Sequence, residues 1–165
     1  MAESFDPYAL LQALERQRVT YIIVGGLGRV LHGSDELTDG LDIVPSAREE
    51  NLRRLDLALE ELNARRPDGT APQLERDLAG EPLELQTDAG ELKIVPEPAG
   101  TRGYDDLRRR AVAEPLGRGL RPSVASLDDH ARMLAALGRD QDRERLLTMQ
   151  RLIELEHELS RGIEL

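Results

Sequence analysis

The first pattern along the chain is helical and then changes to the period of a strand. Asp6 followed by Pro7 has the residue types of a helix start, and the leucines in YALLQAL (8–14) recur on one helical face. The apolar stretch VTYIIV (19–24) then predicts a buried strand that two glycines end. We therefore expect a helix to about Gln17, followed by a strand and a tight turn.

The next segments repeat this order with a longer helix. LGRVLHG (27–33) predicts about two helical turns, and LDIV (41–44) predicts a second strand. A long helix follows from Ser46, which forms a predicted capping box with Glu49. One apolar stripe on this helix comprises Leu52, Leu55, Leu59 and Leu62.

The middle of the chain predicts a loop and then a hairpin. Residues 66–81 are rich in Pro, Gly and charge, which indicates a connection with at most one helical turn. PLELQT (82–87) and ELKIVP (91–96) alternate as half-buried strands do, and DAG (88–90) between them suits a hairpin turn. A helix is predicted from about Tyr104.

The C-terminal part is predicted to be mostly helical. A strand pair flanks LGRGLRP (116–122), a helix capped by Ser126 ends at Gly138, and a last helix covers about 140–160. We expect that last helix to pack on the domain through four apolar residues, with a homodimer or partner seam as the alternative. Those residues are Leu146, Met149, Leu152 and Leu155.

The order of these elements predicts an α/β fold. It consists of a small mixed sheet flanked by helices, with a helical C-terminal part at about 126–165. With 165 residues, we expect one domain over residues 1–165.

Composition limits the partners of this domain. The net charge of −10 opposes general binding to RNA or DNA, although the run Arg108 to Arg110 could form a local contact. The chain has no cysteine, which excludes disulfides and thiolate metal sites. No signal peptide or apolar run of membrane-spanning length is present, so we expect a cytoplasmic protein without a membrane partner. All basic residues are arginine except Lys93.

The candidate chemistry centres on the two glycines and the second strand. At Gly25 and Gly26 the absent side chains let a phosphate approach the backbone N–H groups at a helix start. The strand period of two places residues 40, 42 and 44 on one face. Carboxylates at 40 and 42 would therefore reach one metal ion, yet residue 40 is Gly40 beside Asp42.

Four segments in order resemble the nucleotidyltransferase superfamily, and most closely its minimal and AbiEii-like members, which include toxins of toxin–antitoxin pairs. These segments are YIIVGGLGRVLHGS, LDIVPS, VPEPAGTRGYDDL and VASLDDHARMLAALGRDQD. The resemblance implies a nucleoside triphosphate substrate and three aspartates that hold divalent metal, for which Mg²⁺ is the expected ion.

The chain departs from the pattern of that family at the predicted site. By the resemblance, the first aspartate falls on Gly40 and the third on Lys93, so that Asp42 alone remains to hold metal. An arginine of the family falls on Glu36, and two lysines fall on Leu134 and Gln141. The metal site is therefore expected to be impaired.

The predicted site has two groups of residues. Asp42 and Lys93 are the candidate catalytic residues, while Gly25, Gly26 and Ser34 are candidates for nucleotide binding. For Lys93, one hypothesis is an ammonium that replaces the metal and binds phosphate, and the other is an ion pair with Asp42 that neutralises both.

One further aspartate and the three histidines are expected to lie outside the chemistry of the site. Asp39 should face away from Asp42 unless a bulge redirects it. His32 is expected to be structural, whereas His130 and His157 are expected at the surface.

Two functions remain open at this stage. The first is a catalytically impaired homologue that binds a nucleotide, a protein partner of the antitoxin type or a second copy of itself. The second is an active nucleotidyltransferase toxin, which would transfer a nucleoside monophosphate to RNA or to a protein hydroxyl. The loss of two of the three metal carboxylates favours the impaired homologue, because charge stabilisation by the metal site is a large part of catalysis in phosphoryl-type transfer.

Overall fold

A computed structural model of the chain describes residues 4–163. Residues 1–3 and 164–165, part of the single domain predicted from the sequence, lie outside that description. The helices are α1 (Pro7–Arg16), α2 (Gly25–Leu31), α3 (Glu49–Glu61), α4 (Leu74–Asp77), α5 (Tyr104–Leu107), α6 (Leu127–Leu137) and α7 (Arg143–Ile163), with a 3₁₀ turn at Asp140–Asp142.

Six strands form one mixed sheet in the order β3-β4-β2-β1-β6-β5. β1 runs antiparallel to β2, which in turn runs parallel to β4; the β3–β4 hairpin is antiparallel. β6 runs parallel to β1 and antiparallel to β5. The α/β fold with a small mixed sheet is thus confirmed. The strands are β1 (Tyr21–Val24), β2 (Gly40–Pro45), β3 (Leu83–Thr87), β4 (Gly90–Ile94), β5 (Val112–Ala113) and β6 (Ser123–Val124).

Alternate residues of the central strands enter two separate cores. Leu41 and Ile43 of β2 pack with α1 and α3 in the larger core, where Leu10 and Leu55 are fully buried. On the other sheet face, Val44 packs in a smaller core with residues of β1, α5 and α6. Because the side chains of a strand alternate, this second face is also the face of residues 40 and 42.

The predicted capping box of the long helix is wrong. α3 begins at Glu49, and the Ser46 hydroxyl accepts only a long hydrogen bond of 3.5 Å from the backbone N–H of Arg48. The buried Asn51 explains the later start, because its side-chain amide donates to the carbonyl oxygens of Ser46 and Thr20. These two bonds fix the chain before α3 in an extended path.

The end of the chain agrees only in part with the sequence pattern. Ser126 caps α6 and Gly138 ends it in the left-handed conformation, as predicted. Met149 of α7 is fully buried against α6, but Leu155 is 49% exposed, so the expected packing of Leu155 is wrong. α7 leaves the domain surface after its first three turns. Within residues 4–163, no helix combines the length and apolar character needed to cross a bilayer.

Candidate functional site

Asp42 lies on the central strand of the sheet and faces the cleft beside α2. In the register of the sheet, Asp42 lies opposite Val24 of β1 on one side and opposite Lys93 of β4 on the other. Its carboxyl group is half-buried, and burial raises its pKa. Lys93 and Arg29 act in the opposite direction on this pKa without cancelling the rise.

Gly25 fits against Asp42 in a way that no other residue could. Its φ of +72° lies in the left-handed region, and a Cβ atom built on Gly25 would overlap Oδ2 of Asp42. A Cβ atom on Gly26 would lie 3.2 Å from Oγ1 of Thr38. The glycine pair therefore lets the start of α2 approach the carboxylate and the loop before β2 closely.

The absent side chain of Gly40 leaves a space that Glu91 partly fills. A Cβ atom on Gly40 would lie 3.1 Å from the Cβ of Glu91, which is opposite it on β4. The register runs from Gly40 to Ile43 without a bulge, so Asp39 is not redirected into the strand face. Asp39 is exposed at the edge of the cleft.

Lys93 reaches the cleft but does not neutralise Asp42 directly. Its Nζ lies 3.8 Å from Oε1 of Glu84 on β3, and 40% of its side chain is exposed. Lys93 and Asp42, which both belong to the described residues, form no ion pair with each other. The hypothesis that Lys93 exists only to pair with Asp42 is therefore not supported by this geometry.

Ser34 is placed away from the other candidates. It is buried, and its hydroxyl donates a hydrogen bond of 2.9 Å to Oε2 of Glu36. The other four candidates, Gly25, Gly26, Asp42 and Lys93, line a common cleft, whereas Ser34 supports its wall through Glu36. Phosphate binding by Ser34 would require that bond to break.

The sequence analysis did not identify three arginines that line the cleft. Arg29 on α2, Arg139 before the 3₁₀ turn and Arg145 on α7 line the space next to Asp42 and Lys93. In the sequence they are hidden among other arginines, and only the fold brings them together. The available signal was the position of these residues in the motif resemblance: Arg139 lies within the GRDQD segment at 138–142, Arg145 follows it closely, and Arg29 lies in YIIVGGLGRVLHGS.

The cleft has two connected parts that share Asp42 and Lys93. The part between β2, β3 and β4 has a volume of about 550 Å³ and is lined by carboxylates such as Glu84 and Glu91. The part next to α6 has a volume of about 330 Å³ and combines apolar side chains with the cationic groups. A ligand with one anionic and one apolar end would match the second part.

The donor set of the cleft does not fit the divalent metal that the resemblance implies. Gly40 supplies no ligand, and Lys93, on which the third aspartate of the family falls by the resemblance, supplies a cation instead of a carboxylate. Among residues 4–163, no group of three or more His, Asp or Glu side chains is arranged to hold a metal ion. The cations that could balance a phosphate here are those of side chains.

The expectation that His130 lies at the surface is wrong. His130 is 1% exposed and its ring packs against α2, where a Cβ atom on Gly28 would lie 2.8 Å from its Nε2. Within the described residues, this Nε2 has no hydrogen-bond partner. His32 is structural as expected, since its Nε2 lies 2.7 Å from the carbonyl oxygen of Ala125. His157 is exposed as expected.

The buried His130 is expected to make stability depend on pH. Burial, with smaller contributions from His32 and Arg29, lowers the pKa of His130 to about 3. Below pH 6.5 the imidazole of His130 is protonated in the unfolded chain but stays neutral in the native protein. The free energy of unfolding therefore falls as the pH drops from 6.5 towards 3.

Urea denaturation of the wild type and of His130→Gln across this pH range would test that expectation. The wild type should lose more stability on acidification than the variant, because other groups titrate in both proteins. Equal pH dependence of the two proteins would contradict it. His157→Gln, which alters an exposed histidine, is the matched control.

The chain resembles solved structures of nucleotidyltransferases. One of them is the lincosamide antibiotic adenylyltransferase LnuA, solved with lincomycin. The match covers 90% of this chain and 99% of that one, with 16% identity and a TM-score of 0.63. The antibiotic-resistance factor ANT(2'')-Ia gives 15% identity and a TM-score of 0.60, over 88% of this chain and 79% of that one.

A third structure, described as a nucleotidyltransferase from Thermotoga maritima, gives 17% identity and a TM-score of 0.56. The match covers 88% of this chain and 90% of that one. The chain matches no family model and no curated protein. At these identities the comparisons establish the fold: this chain has the nucleotidyltransferase fold.

Proposed function

We propose that this nucleotidyltransferase-fold protein is a catalytically impaired homologue that binds a nucleotide in the cleft without a divalent metal. The observation that carries the proposal is Lys93, which lies opposite Asp42 in the register of β4 and β2 and lines the same cleft. By the resemblance, this is the position of the third carboxylate. A positive charge at this point attracts phosphate directly, whereas the same charge repels Mg²⁺.

The surroundings of Lys93 support the binding of an anion. Arg139 and Arg145 line the same cleft, and 39% of the Arg145 side chain is exposed. Gly25 and Gly26 keep the backbone accessible next to these cations. Gly25, Gly26, Asp42 and Lys93 thus form the proposed site, with Asp42 as its acidic wall.

The second candidate is an active nucleotidyltransferase of the toxin type. The raised pKa of Asp42 favours it, because such a carboxylate is a better proton acceptor than an ordinary aspartate. In that case Asp42 would accept the proton of an acceptor hydroxyl while Lys93 binds phosphate. Activity would then require a nucleoside triphosphate together with an RNA or protein acceptor.

A protein partner of the antitoxin type, or a second copy of the chain, is the third candidate. The observation that favours it is the exposure of three leucines on α7, of which Leu159 is 62% exposed. The other two are Leu147 and Leu155.

A thermal-shift titration separates these candidates. ATP, GTP, CTP and UTP are added to the wild type with Mg²⁺ or with a chelator, and the experiment is repeated on the double variant Gly40→Asp, Lys93→Asp. The proposal predicts stabilisation of the wild type by at least one nucleotide without Mg²⁺, and loss of this stabilisation in the double variant.

Other results would point elsewhere. Stabilisation of the wild type only in the presence of Mg²⁺ would favour the active transferase. No stabilisation by any nucleotide would reject the proposal and direct the search to protein partners. Because a side chain at residue 40 crowds Glu91, the single variant Gly40→Asp is needed to separate the effect of this crowding from the loss of the Lys93 charge.

A further inference from the structure

The cationic side of the cleft is organised by a partly buried carboxylate, that of Glu36. Glu36 accepts hydrogen bonds of 2.8 and 2.9 Å from Nε and Nη2 of Arg29. Nε of Arg145 lies 3.5 Å from Oε1 of the same carboxylate. These contacts hold the pKa of Glu36 below its usual value despite burial, so the group is charged. Glu36 thus joins α2 to α7.

A second carboxylate, which is buried, holds two arginines of the same cleft. Asp142, at the end of the 3₁₀ turn, is 2% exposed. It accepts hydrogen bonds of 2.6 Å from Nε of Arg139 and 2.9 Å from Nη1 of Arg145. Arg145 therefore contacts both carboxylates, and its orientation depends on each of them.

The two carboxylates leave the cluster with an excess of positive charge. Three guanidinium groups face these two carboxylates, which is an excess of one positive charge; in the same cleft Lys93 adds a cation, whereas Asp42 and Glu97 add carboxylates. The side chain of Arg29 is only 10% exposed, whereas those of Arg139 and Arg145 are 47% and 39% exposed. Arg139 and Arg145 are thus the members of the cluster that an anion can reach, in a chain whose net charge is −10.

We propose that Glu36 and Asp142 are positioning residues, which fix Arg139 and Arg145 as a clamp for a chain of two or more phosphates. This inference rests on the proposed nucleotide-binding function of the same cleft. Arg139, which is held through Nε, still presents its other N–H groups, whereas Arg145, which is held through Nε and Nη1, keeps Nη2 for a ligand. Guanidinium N–H groups of this kind donate charge-assisted hydrogen bonds to phosphate oxygens. Two fixed guanidiniums next to Lys93 would favour a polyphosphate over a single phosphate.

Isothermal titration calorimetry without metal tests the clamp with two inorganic probes, tripolyphosphate and orthophosphate. The wild type should bind tripolyphosphate at least about tenfold more tightly, since each additional charge-assisted contact contributes on that order. Asp142→Asn should reduce the affinity for tripolyphosphate by about tenfold, because Arg139 and Arg145 lose their anchor.

A second variant keeps the proposal testable if Asp142→Asn does not fold. Arg145→Lys preserves the charge but removes the planar fork, and it should reduce the preference for tripolyphosphate over orthophosphate. Arg151→Ala, an exposed arginine of α7 outside the cleft, is the control and should bind as the wild type does. Partial unfolding would lower the binding-competent fraction for both probes alike and would not change the ratio of their affinities.

The outcomes separate the clamp from the proposed function. Equal binding of both probes by the wild type, or an unchanged preference in Arg145→Lys, would overturn the clamp. Nucleotide stabilisation could still occur in that case, and it would leave the proposed function in place. Tripolyphosphate binding without any nucleotide stabilisation would instead support the clamp and contradict the nucleotide as its ligand.

Discussion

Replacing Lys93 with alanine is expected to weaken the binding of ATP without metal by about tenfold to a hundredfold, the range for one charge-assisted contact. The reason is that Lys93 is the cation closest in register to Asp42, and its loss leaves the carboxylates of the cleft to repel the phosphates. Isothermal titration calorimetry in the presence of a chelator measures this change.

Two further variants define the contribution of the charge. Lys93→Arg keeps a cation and should retain most of the affinity, whereas Glu84→Gln removes the carboxylate that lies 3.8 Å from Nζ and should strengthen binding. Affinity unchanged in Lys93→Ala would contradict the role of Lys93. Because Lys93 is the only lysine, peptide mapping after acetylation can also report whether ATP protects this amine.

Gly25→Ala is expected to lower the free energy of unfolding by about 2–4 kcal/mol, since it combines strain at positive φ with overpacking. The new Cβ atom would overlap Oδ2 of Asp42, and the alanine residue would have to adopt the backbone φ of +72°. Urea denaturation of the variant and the wild type measures the loss.

Two comparisons separate the overlap from the backbone strain. Gly69 has a φ of +87° with no atom within 4 Å of an added Cβ, so Gly69→Ala should show the strain alone. In the double variant Gly25→Ala, Asp42→Ala, the overlap is removed and part of the loss should be recovered. If Gly25→Ala were no more destabilising than Gly69→Ala, the close contact with Asp42 would be wrong.

The strands and most helix ends could be predicted because their signals are local. Asp6 accepts a hydrogen bond from the backbone N–H of Ala9 and caps α1, as its residue type indicates. The strands around Leu85 and Leu92 follow the alternation of their own side chains. The local rule failed at Ser46, where the side-chain amide of Asn51 donates to the Ser46 carbonyl oxygen and the helix begins only at Glu49.

The site could be predicted only where neighbouring residues in the sequence form it. Gly25, Gly26 and Asp42 belong to one β-α-β segment, so their approach follows from strand and turn geometry. Arg139 and Arg145 belong to the C-terminal part, and no local pattern shows that the 3₁₀ turn and the start of α7 lie close to β2. His130 was misplaced for the same reason, since its burial depends on the small size of Gly28.

The sequence by itself determined the α/β order, the place of Asp42 on a central strand and the absence of a carboxylate at Gly40, because each depends on residue type and short-range periodicity. The tertiary structure alone decided how the charges are shared. It places the ammonium of Lys93 near Glu84 without an ion pair to Asp42, and it gathers the arginines of the cleft around Glu36 and Asp142. The ion pairs between long side chains of separate elements depend on which of these side chains lie close together, and this is fixed only when the sheet and helices pack.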